Sequence, residues 1–212
     1  MTEPSIQIQT ALTQGKYELK GQFMLGSNYT FFVDVHHEGR EYKAVYKPTK
    51  GEQPLWDFPE YTLALREVAA YQLSEALGLH IVPFTTYRED GPYGPGSLQQ
   101  YIEYDVDHHY FNFTPEEKQK LRPVVLFDLL ANNADRKGSH VFFEEGTEKL
   151  FAIDHGICFH EEDKLRTVIW DFAGQQIPDE LLAPLSQTDS WSALFENYLS
   201  PNEISALLTR AE

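Results

Sequence analysis

Cysteine is nearly absent from this chain, since Cys158 is the single cysteine among 212 residues. One thiol cannot form an intrachain disulfide, which excludes a disulfide-stapled fold and favours a reducing compartment. The sequence also has no apolar run that approaches the length of a membrane span. Residues Met1 to Gln14 show no basic start followed by an apolar stretch, so we expect no signal peptide and a cytoplasmic protein.

Positive charge is also scarce. The chain has 17 Lys and Arg against 33 Asp and Glu, which gives a formal net charge of -16 at pH 7. Such a surface repels phosphate backbones and anionic lipid headgroups, so we expect neither a nucleic-acid partner nor stable membrane association. Hydrophobic residues make up 42% of the chain and aromatic residues 14%. That content is sufficient for the core of one large domain and argues against disorder.

Strand patterns dominate the first half of the chain. Runs of aromatic and β-branched residues, separated by turn residues, predict consecutive strands with tight turns and therefore an antiparallel sheet. One helix is expected among them, over residues 61–77, because leucine, valine and alanine recur there at helical spacing before Gly78, a plausible C-cap. The strands are predicted at residues 17–25, 29–36, 41–47, 80–87 and 96–103.

Helical patterns replace them after Asp105. Thr114 is a suitable N-cap, Pro115 suits the first helical position, and the two glutamates that follow favour the positive end of a helix. Apolar residues then continue the predicted helix to Leu130. Beyond it we predict two short strands and a mostly helical last third, at residues 141–143, 150–153 and 178–211.

These patterns predict a compact α+β fold of two lobes, an antiparallel-sheet N-lobe followed by a mostly helical C-lobe. The whole chain, residues 1–212, is expected to form one domain, with the N-lobe over about 1–104 and the C-lobe over 105–212. A cleft between the lobes is the expected ligand site, because small-molecule sites favour concave junctions of this kind.

Three polar groupings fall at the predicted mouth of that cleft. Lys47 ends an apolar strand, where its ammonium could meet phosphate oxygens or simply extend to water, as most such lysines do. Asp135 stands beside Arg136 in a polar loop, which suits either an ordinary turn or the orientation of a hydroxyl with neutralisation of transferring charge. Asp154, at a strand end before His155 and Gly156, is either a metal-binding corner or a common turn.

The order of these residues resembles the phosphatidylinositol 3-/4-kinase-like superfamily. The segments Asn-Ala-Asp-Arg-Lys-Gly-Ser-His and Ile-Asp-His-Gly-Ile-Cys-Phe-His are most similar to a group of small bacterial proteins of that type. The more distant HipA-like kinases share the same order of parts. The resemblance covers about residues 19–170. It implies a protein-kinase-like fold and a phosphotransferase that depends on ATP and on a divalent metal.

The resemblance implies a role for each matching side chain. Lys47 would contact the α- and β-phosphates and pair with Glu67, for which a solvated position on the predicted helix is an equal alternative. Asp135 would orient the acceptor hydroxyl, with Arg136 beside it in the catalytic loop. Asp154 would hold the Mg²⁺ that bridges the phosphates.

Two backbone segments would hold the nucleotide according to the same resemblance. One is the phosphate-covering loop of Gly26, Ser27 and Asn28, which is short of glycines for such a loop. The other is the hinge over Gln99 to Glu103, whose backbone would meet adenine. The hinge residues expected at the nucleotide are Gln100, Tyr101 and Ile102.

His140 stands where the family has an asparagine metal ligand, and His155 where the family has phenylalanine. A neutral imidazole is a softer ligand than an amide oxygen, so His140 would suit Mn²⁺ at least as well as Mg²⁺, or would weaken catalysis. Two alternatives therefore stay open: a nucleotide-binding pseudokinase with a regulatory role, and a metal-dependent hydrolase that uses His140, Asp154 and His160. The acidic composition argues against a phosphoinositide, so a protein or small-molecule hydroxyl is the expected acceptor.

Overall fold

The computed structural model describes residues 3–23 and 28–212. The chain divides into two compact units, Met1–Val68 with Pro83–Tyr101, and Ala69–Val82 with Ile102–Glu212. None of the described helices combines the length and the apolar character that crossing a membrane requires.

The first unit is built on an antiparallel sheet of five strands in the order β1-β2-β3-β5-β4. Side chains of alternating positions on β2 and β3 form its core with Leu12 and Leu98. The elements of this unit are α1 (Glu3–Gln14), β1 (Lys16–Gln22), β2 (Phe31–His37), β3 (Arg40–Pro48), the start of α2 (Leu63–Ala76), β4 (Thr85–Arg88) and β5 (Gly96–Gln100).

The second unit is mostly helical, with one two-stranded antiparallel ribbon. Large apolar side chains such as Phe127, Phe159, Trp191 and Phe195 are buried in its core. Its elements are the rest of α2, α3 (Pro115–Gln119), α4 (Arg122–Ala131), β6 (Val141–Phe143), β7 (Leu150–Ala152), α5 (Asp179–Leu182), α6 (Trp191–Phe195) and α7 (Pro201–Ala211). The predicted α+β class, with its antiparallel sheet and helical second part, is confirmed.

Helix α1 has no counterpart among the predicted elements. Its residues Ile8, Ala11 and Leu12 recur at helical spacing and pack on the first unit, with Ala11 and Leu12 fully buried. Arg88 of β4 holds the end of this helix by donating to the carbonyls of Leu12 at 2.7 Å and Gly15 at 3.1 Å. Three apolar positions in a polar stretch are a weak local signal, and tertiary packing makes the helix stable.

The helix predicted through Leu130 is interrupted. Helix α3 begins with the expected Thr114 cap, which accepts from the Glu117 amide at 3.2 Å, and it ends at Gln119. Pro123 explains the break, because proline has no amide hydrogen for the Gln119 carbonyl and its ring clashes with that carbonyl. Helix α4 restarts at Arg122, with Pro123 in its first turn, where a missing donor is harmless.

The strand expected at residues 80–87 begins later, at Thr85. His80 adopts the left-handed conformation with φ 50°. The amides of Ile81 and Val82 donate to the Ser74 hydroxyl at 2.9 and 3.2 Å. Because these two amides are bonded to a side chain of α2, they cannot donate to a neighbouring strand. Residues 80–82 therefore do not join the sheet.

Candidate functional site

Lys47 lies near the end of β3, the central strand of the five-stranded sheet. Its ammonium forms an ion pair with the carboxylate of Glu67 on α2, within the first unit. The Glu67 side chain is only 3% exposed, so it is not a solvated acid of the helix surface. A buried carboxylate needs such a partner, because burial without a counter-charge costs several kcal/mol.

Glu52 fixes the start of the helix that carries Glu67. Its carboxylate accepts from the Leu63 amide at 3.2 Å and from the Ala64 amide at 2.9 Å. Both amides belong to the first turn of α2, where donors have no partner inside the helix. Burial raises the pKa of Glu52 above its ordinary value, while these two backbone bonds act in the opposite direction. Glu52 was not predicted as a contributor, because its contact with the start of α2 joins residues that are 11 and 12 positions apart.

The predicted phosphate-covering loop falls partly outside the described residues, which exclude Gly26 and Ser27. Asn28 is described, and its side-chain oxygen accepts from the Gln53 amide at 2.7 Å. Asn28 thus joins this loop to the polar segment that follows β3.

The predicted hinge begins at the end of β5. The Gln100 amide donates to the Phe84 carbonyl at 2.8 Å, and the Tyr101 amide donates to the Lys43 carbonyl at 3.1 Å. These two donors are therefore committed to the first unit. Ile102 begins the next stretch of the second unit, where it is buried in a small apolar cluster with two phenylalanines, Phe142 and Phe151.

The loop after α4 is held by side-chain amides. Asn132 ends the helix in the left-handed conformation, with φ 51°. The Asn133 amide group donates to Asp128 at 2.9 Å, and its oxygen accepts from the Asp135 backbone amide at 3.0 Å. Asp135 itself stays 36% exposed, with its carboxylate 2.7 Å from the Lys137 ammonium. The loop therefore presents one carboxylate and one ammonium to solvent from a fixed backbone.

Arg136 points the other way, into the second unit, and its side chain is fully buried. It binds the Asp128 carboxylate through two bonds, of 2.9 Å from Nε and 2.8 Å from Nη2. Nη1 donates to the carbonyls of His140 at 3.3 Å and Ile153 at 3.0 Å, and Nη2 meets His155 at 2.8 Å. All five donors of the guanidinium thus have acceptors. Arg136 connects helix α4, the Asp135 loop and the corner at Asp154.

His140 and Asp154 lie side by side, with Nε2 3.2 Å from the carboxylate oxygen Oδ2. The Ile153 amide donates to the His140 carbonyl at 3.0 Å, which aligns the two segments. Asp154 has φ 65°, a left-handed conformation that aspartate tolerates better than most residues. The carboxylate of Asp154 and the imidazole of His140 are therefore held next to each other.

His155 is completely buried, with its ring edge against Phe127. Its Nε2 lies 2.8 Å from Nη2 of Arg136. Because a guanidinium has only donors, Nε2 must accept this bond, and the neutral ring then carries its proton on Nδ1. The residue that replaces the family phenylalanine thus contributes a hydrogen bond as well as an apolar contact.

Within the second unit, the structure brings Asp135, Arg136, His140 and Asp154 into one bonded framework. His160 has a different setting, since its Nδ1 accepts from the Glu162 amide at 3.0 Å. Among residues 3–23 and 28–212, no group of three His, Cys, Asp or Glu side chains is placed to hold a metal. The three-ligand site of the hydrolase alternative therefore gains no support from this geometry.

Asp128 was not predicted from the sequence as a contributor to this site. It interrupts the apolar run of α4, and a buried acid in such a run must have a partner, which was an available signal. Lys137 was expected to act beside Asp135, and the structure places its ammonium 2.7 Å from that carboxylate.

Known proteins share the fold of this chain, and one shares much of its sequence. No known protein-family profile matches the chain. Three solved structures have similar folds at 12–14% sequence identity. The proinflammatory kinase CtkA of Helicobacter pylori aligns with a TM-score of 0.57, over 94% of this chain and 91% of CtkA. Hydra Fam20, solved with sugar, aligns with a TM-score of 0.55, over 99% and 87%.

The third structure is HipA of Shewanella oneidensis MR-1, solved with HipB and operator DNA. It gives a TM-score of 0.50, over 99% of this chain and 69% of HipA. These likenesses show a kinase-like fold, which confirms the predicted fold class.

A curated relative is much more similar in sequence. Protein Rv2133c of Mycobacterium tuberculosis is 36% identical over 207 aligned positions, which cover 81% of this chain and 73% of Rv2133c. This chain therefore belongs to the same protein family as Rv2133c.

Proposed function

We propose that this protein is an ATP-dependent phosphotransferase, an atypical kinase similar to the phosphatidylinositol 3-/4-kinase-like superfamily. The observation that carries the proposal is the buried ion pair of Lys47 and Glu67, which joins the central strand to helix α2 in a kinase-like fold. Protein kinases use a strand lysine and a helix glutamate in this way to hold the α- and β-phosphates.

The donor set at the Asp154 corner fits a divalent cation that is also bound by phosphate oxygens. Mg²⁺ in kinases takes one or two protein ligands and completes its shell with phosphate and water, so a three-ligand protein cage is unnecessary. Asp154 and His140 would hold the cation, with the imidazole favouring Mn²⁺ at least as well as Mg²⁺. When bound, the cation would neutralise charge on the phosphates. Arg136 would position this corner and would not touch the substrate, because its side chain is buried.

Asp135 would act on the acceptor. The hydroxyl oxygen of the acceptor forms a bond to the γ-phosphorus while the bond from that phosphorus to the β–γ bridging oxygen breaks, and ADP leaves. Asp135 accepts the hydroxyl hydrogen bond, orients the nucleophile and takes its proton. Lys137, at 2.7 Å from that carboxylate, would stabilise negative charge on the transferring group.

Nucleotide recognition would use backbone groups of the two predicted segments. Gly26, Ser27 and Asn28 would cover the phosphates. In the hinge, the amides of Gln100 and Tyr101 already donate within the sheet. Adenine would therefore meet their carbonyls and the backbone of Ile102. The acceptor would be a hydroxyl of a protein or of a small molecule.

Calorimetric titration with ATP, in Mg²⁺ and separately in Mn²⁺, tests the proposal. We expect metal-dependent binding by the natural chain and its loss in Asp154→Asn. Asparagine is a better test than alanine, because it removes the negative charge and still tolerates the left-handed backbone at this position. The matched control is Glu148→Ala, which removes one negative charge from a side chain that is 87% exposed.

Each result has a definite reading, provided that thermal melting confirms that the variants are folded. Retained binding in Glu148→Ala together with lost binding in Asp154→Asn supports the nucleotide and metal site. Absence of ATP binding by the natural chain with either cation would overturn the proposal.

A nucleotide-binding pseudokinase is the second candidate, favoured by the histidine at position 140 beside Asp154. The comparison of ADP release by the natural chain and by His140→Asn separates the two functions. Turnover by the natural chain in Mn²⁺ identifies a kinase. Tight ATP binding without turnover, with turnover gained in His140→Asn, identifies a pseudokinase.

A further inference from the structure

The segment after the Asp154 corner runs beside the loop that carries Asp135. The Arg136 amide donates to the Arg166 carbonyl at 3.0 Å, and the Arg166 amide donates to the Asn133 carbonyl at 2.8 Å. Arg136 and Thr167 form a parallel β-bridge. The backbone of Arg166 is therefore fixed against the residues on both sides of Asp135.

Side-chain alternation assigns the two faces of this pair of segments. In a parallel bridge, paired residues point to the same side and their neighbours to the opposite side. Arg136 points inward, so Thr167 does too. Thr167 lines an apolar cavity of about 240 Å³ together with Leu165, Ile169 and Asp128. Arg166 is exposed and does not line this cavity. Arg166 and Asp135 thus occupy the solvent-facing side together.

Arg166 differs from the other bases of this region. Lys137 is paired with Asp135, and Lys164 lies 3.3 Å from the Glu162 carboxylate. For Arg166, no hydrogen bond or ion pair of the guanidinium occurs within the part of the chain that the structure describes. Other arginines without a carboxylate partner, such as Arg40, Arg122 and Arg210, donate to glutamine side chains or to backbone carbonyls. The guanidinium of Arg166 is therefore set apart from these by having no acceptor among the described residues.

We propose that Arg166 recognises a negatively charged group of the acceptor, so that the acceptor carries a carboxylate or phosphate close to its reacting hydroxyl. This inference rests on the proposed phosphotransferase function. A guanidinium binds either anion through paired hydrogen bonds, which also fix orientation. An anionic acceptor approaching a surface of net charge -16 is repelled at long range, so a local base beside Asp135 is required to hold it.

The test measures binding, so that it does not depend on turnover. Fluorescence anisotropy compares a fluorescein-labelled peptide with a central serine and flanking glutamates against the same peptide with flanking glutamines. Each titration is run with Mn²⁺ and a non-hydrolysable ATP analogue, and again without nucleotide. We expect about three- to tenfold tighter binding of the glutamate peptide, the range of a partly exposed charge-assisted contact. Arg166→Gln should abolish the preference, and Arg166→Glu should reverse it.

A second arm distinguishes a polypeptide from a small acceptor. Glycerol 3-phosphate and glycerol are compared as competitors of the glutamate peptide. Displacement by glycerol 3-phosphate alone, lost in Arg166→Gln, points to a phosphorylated small molecule. Peptide preference without such displacement points to an acidic polypeptide.

The matched control is Lys149→Glu, which makes the same change in net charge on an exposed side chain of the same unit. It should keep the preference of the natural chain. Equal binding of both peptides together with no effect of glycerol 3-phosphate would overturn the inference, as would unchanged binding in Arg166→Glu. A loss of nucleotide affinity in Arg166→Gln, with peptide binding unchanged, would assign Arg166 to ATP instead. Failure of the proposed function appears separately, as absent nucleotide binding by the natural chain.

Discussion

At the scale of single residues, buried charges organise the second unit. Arg136 and Asp128 form a bidentate pair with both side chains almost fully buried. Replacing such a pair by apolar residues is often tolerated, but removing one partner leaves an uncompensated buried charge. Arg136 also donates to the backbone carbonyls of His140 and Ile153. A displacement of the Arg136 side chain would therefore change the position of Asp154, which follows Ile153.

Asp128→Ala should therefore lower the free energy of unfolding by about 3–5 kcal/mol, because Arg136 stays buried without its counter-charge. Urea unfolding followed by tryptophan fluorescence measures the change. Glu148→Ala, on an exposed side chain, should change it by less than about 0.5 kcal/mol. A loss in Asp128→Ala as small as in this control would contradict the role assigned to the pair.

At the scale of elements, close backbone contact between β3 and β5 constrains the position of Lys47. Gly96 pairs with Pro48 in the antiparallel register of these strands. A Cβ at position 96 would lie 2.4 Å from the Lys47 carbonyl oxygen and 2.8 Å from the Pro48 Cα. Backbone atoms cannot rotate away, so a side chain here would separate the strands.

Gly96→Ala should destabilise the protein by about 1–3 kcal/mol, the usual cost of inserting a carbon into a packed site. Gly21→Ala is the control, because a Cβ at Gly21 meets nothing within 4 Å. The control should change the free energy of unfolding by less than about 0.5 kcal/mol in the same urea titration. Equal effects of the two substitutions would show that the β3–β5 contact is not tight in solution.

At the scale of the whole molecule, excess negative charge opposes compactness. A net charge of -16 on 212 residues produces self-repulsion that folding must overcome. Salt screens this repulsion over the distances that separate surface charges, since the Debye length is about 10 Å at 0.1 M and about 30 Å at 0.01 M. The unfolded chain is more extended, so it gains less from screening.

The melting temperature should therefore rise when NaCl is increased from 10 to 300 mM at pH 7.5, as measured by differential scanning calorimetry. The same comparison at pH 5 supplies the control. A pH of 5 lies close to the sequence isoelectric point of about 4.8, where the net charge is small, so the increment should be smaller. A melting temperature that falls with salt at pH 7.5 would mean that favourable ion pairs outweigh the repulsion.

The sequence by itself determined the features that depend on local pattern. Strand and helix periodicities predicted the α+β class, which the structure confirms. The order of Lys47, Asp135 and Asp154 along the chain marked them as candidate site residues, and their roles, which come from the family resemblance, stay predictions. These signals are local because hydrophobic periodicity and turn chemistry involve residues a few positions apart.

Only the tertiary structure decided which charges are buried and which side chains meet. Arg136 and Asp135 are adjacent and both polar, yet one is fully buried and the other faces solvent. That outcome depends on Asp128 and on the segment at Arg166, which lie 8 positions before and 30 positions after Arg136. Helix α1 is likewise stabilised by contacts with the distant Arg88. Burial and pairing are set by contacts between distant parts of the chain, and no short window of sequence contains them.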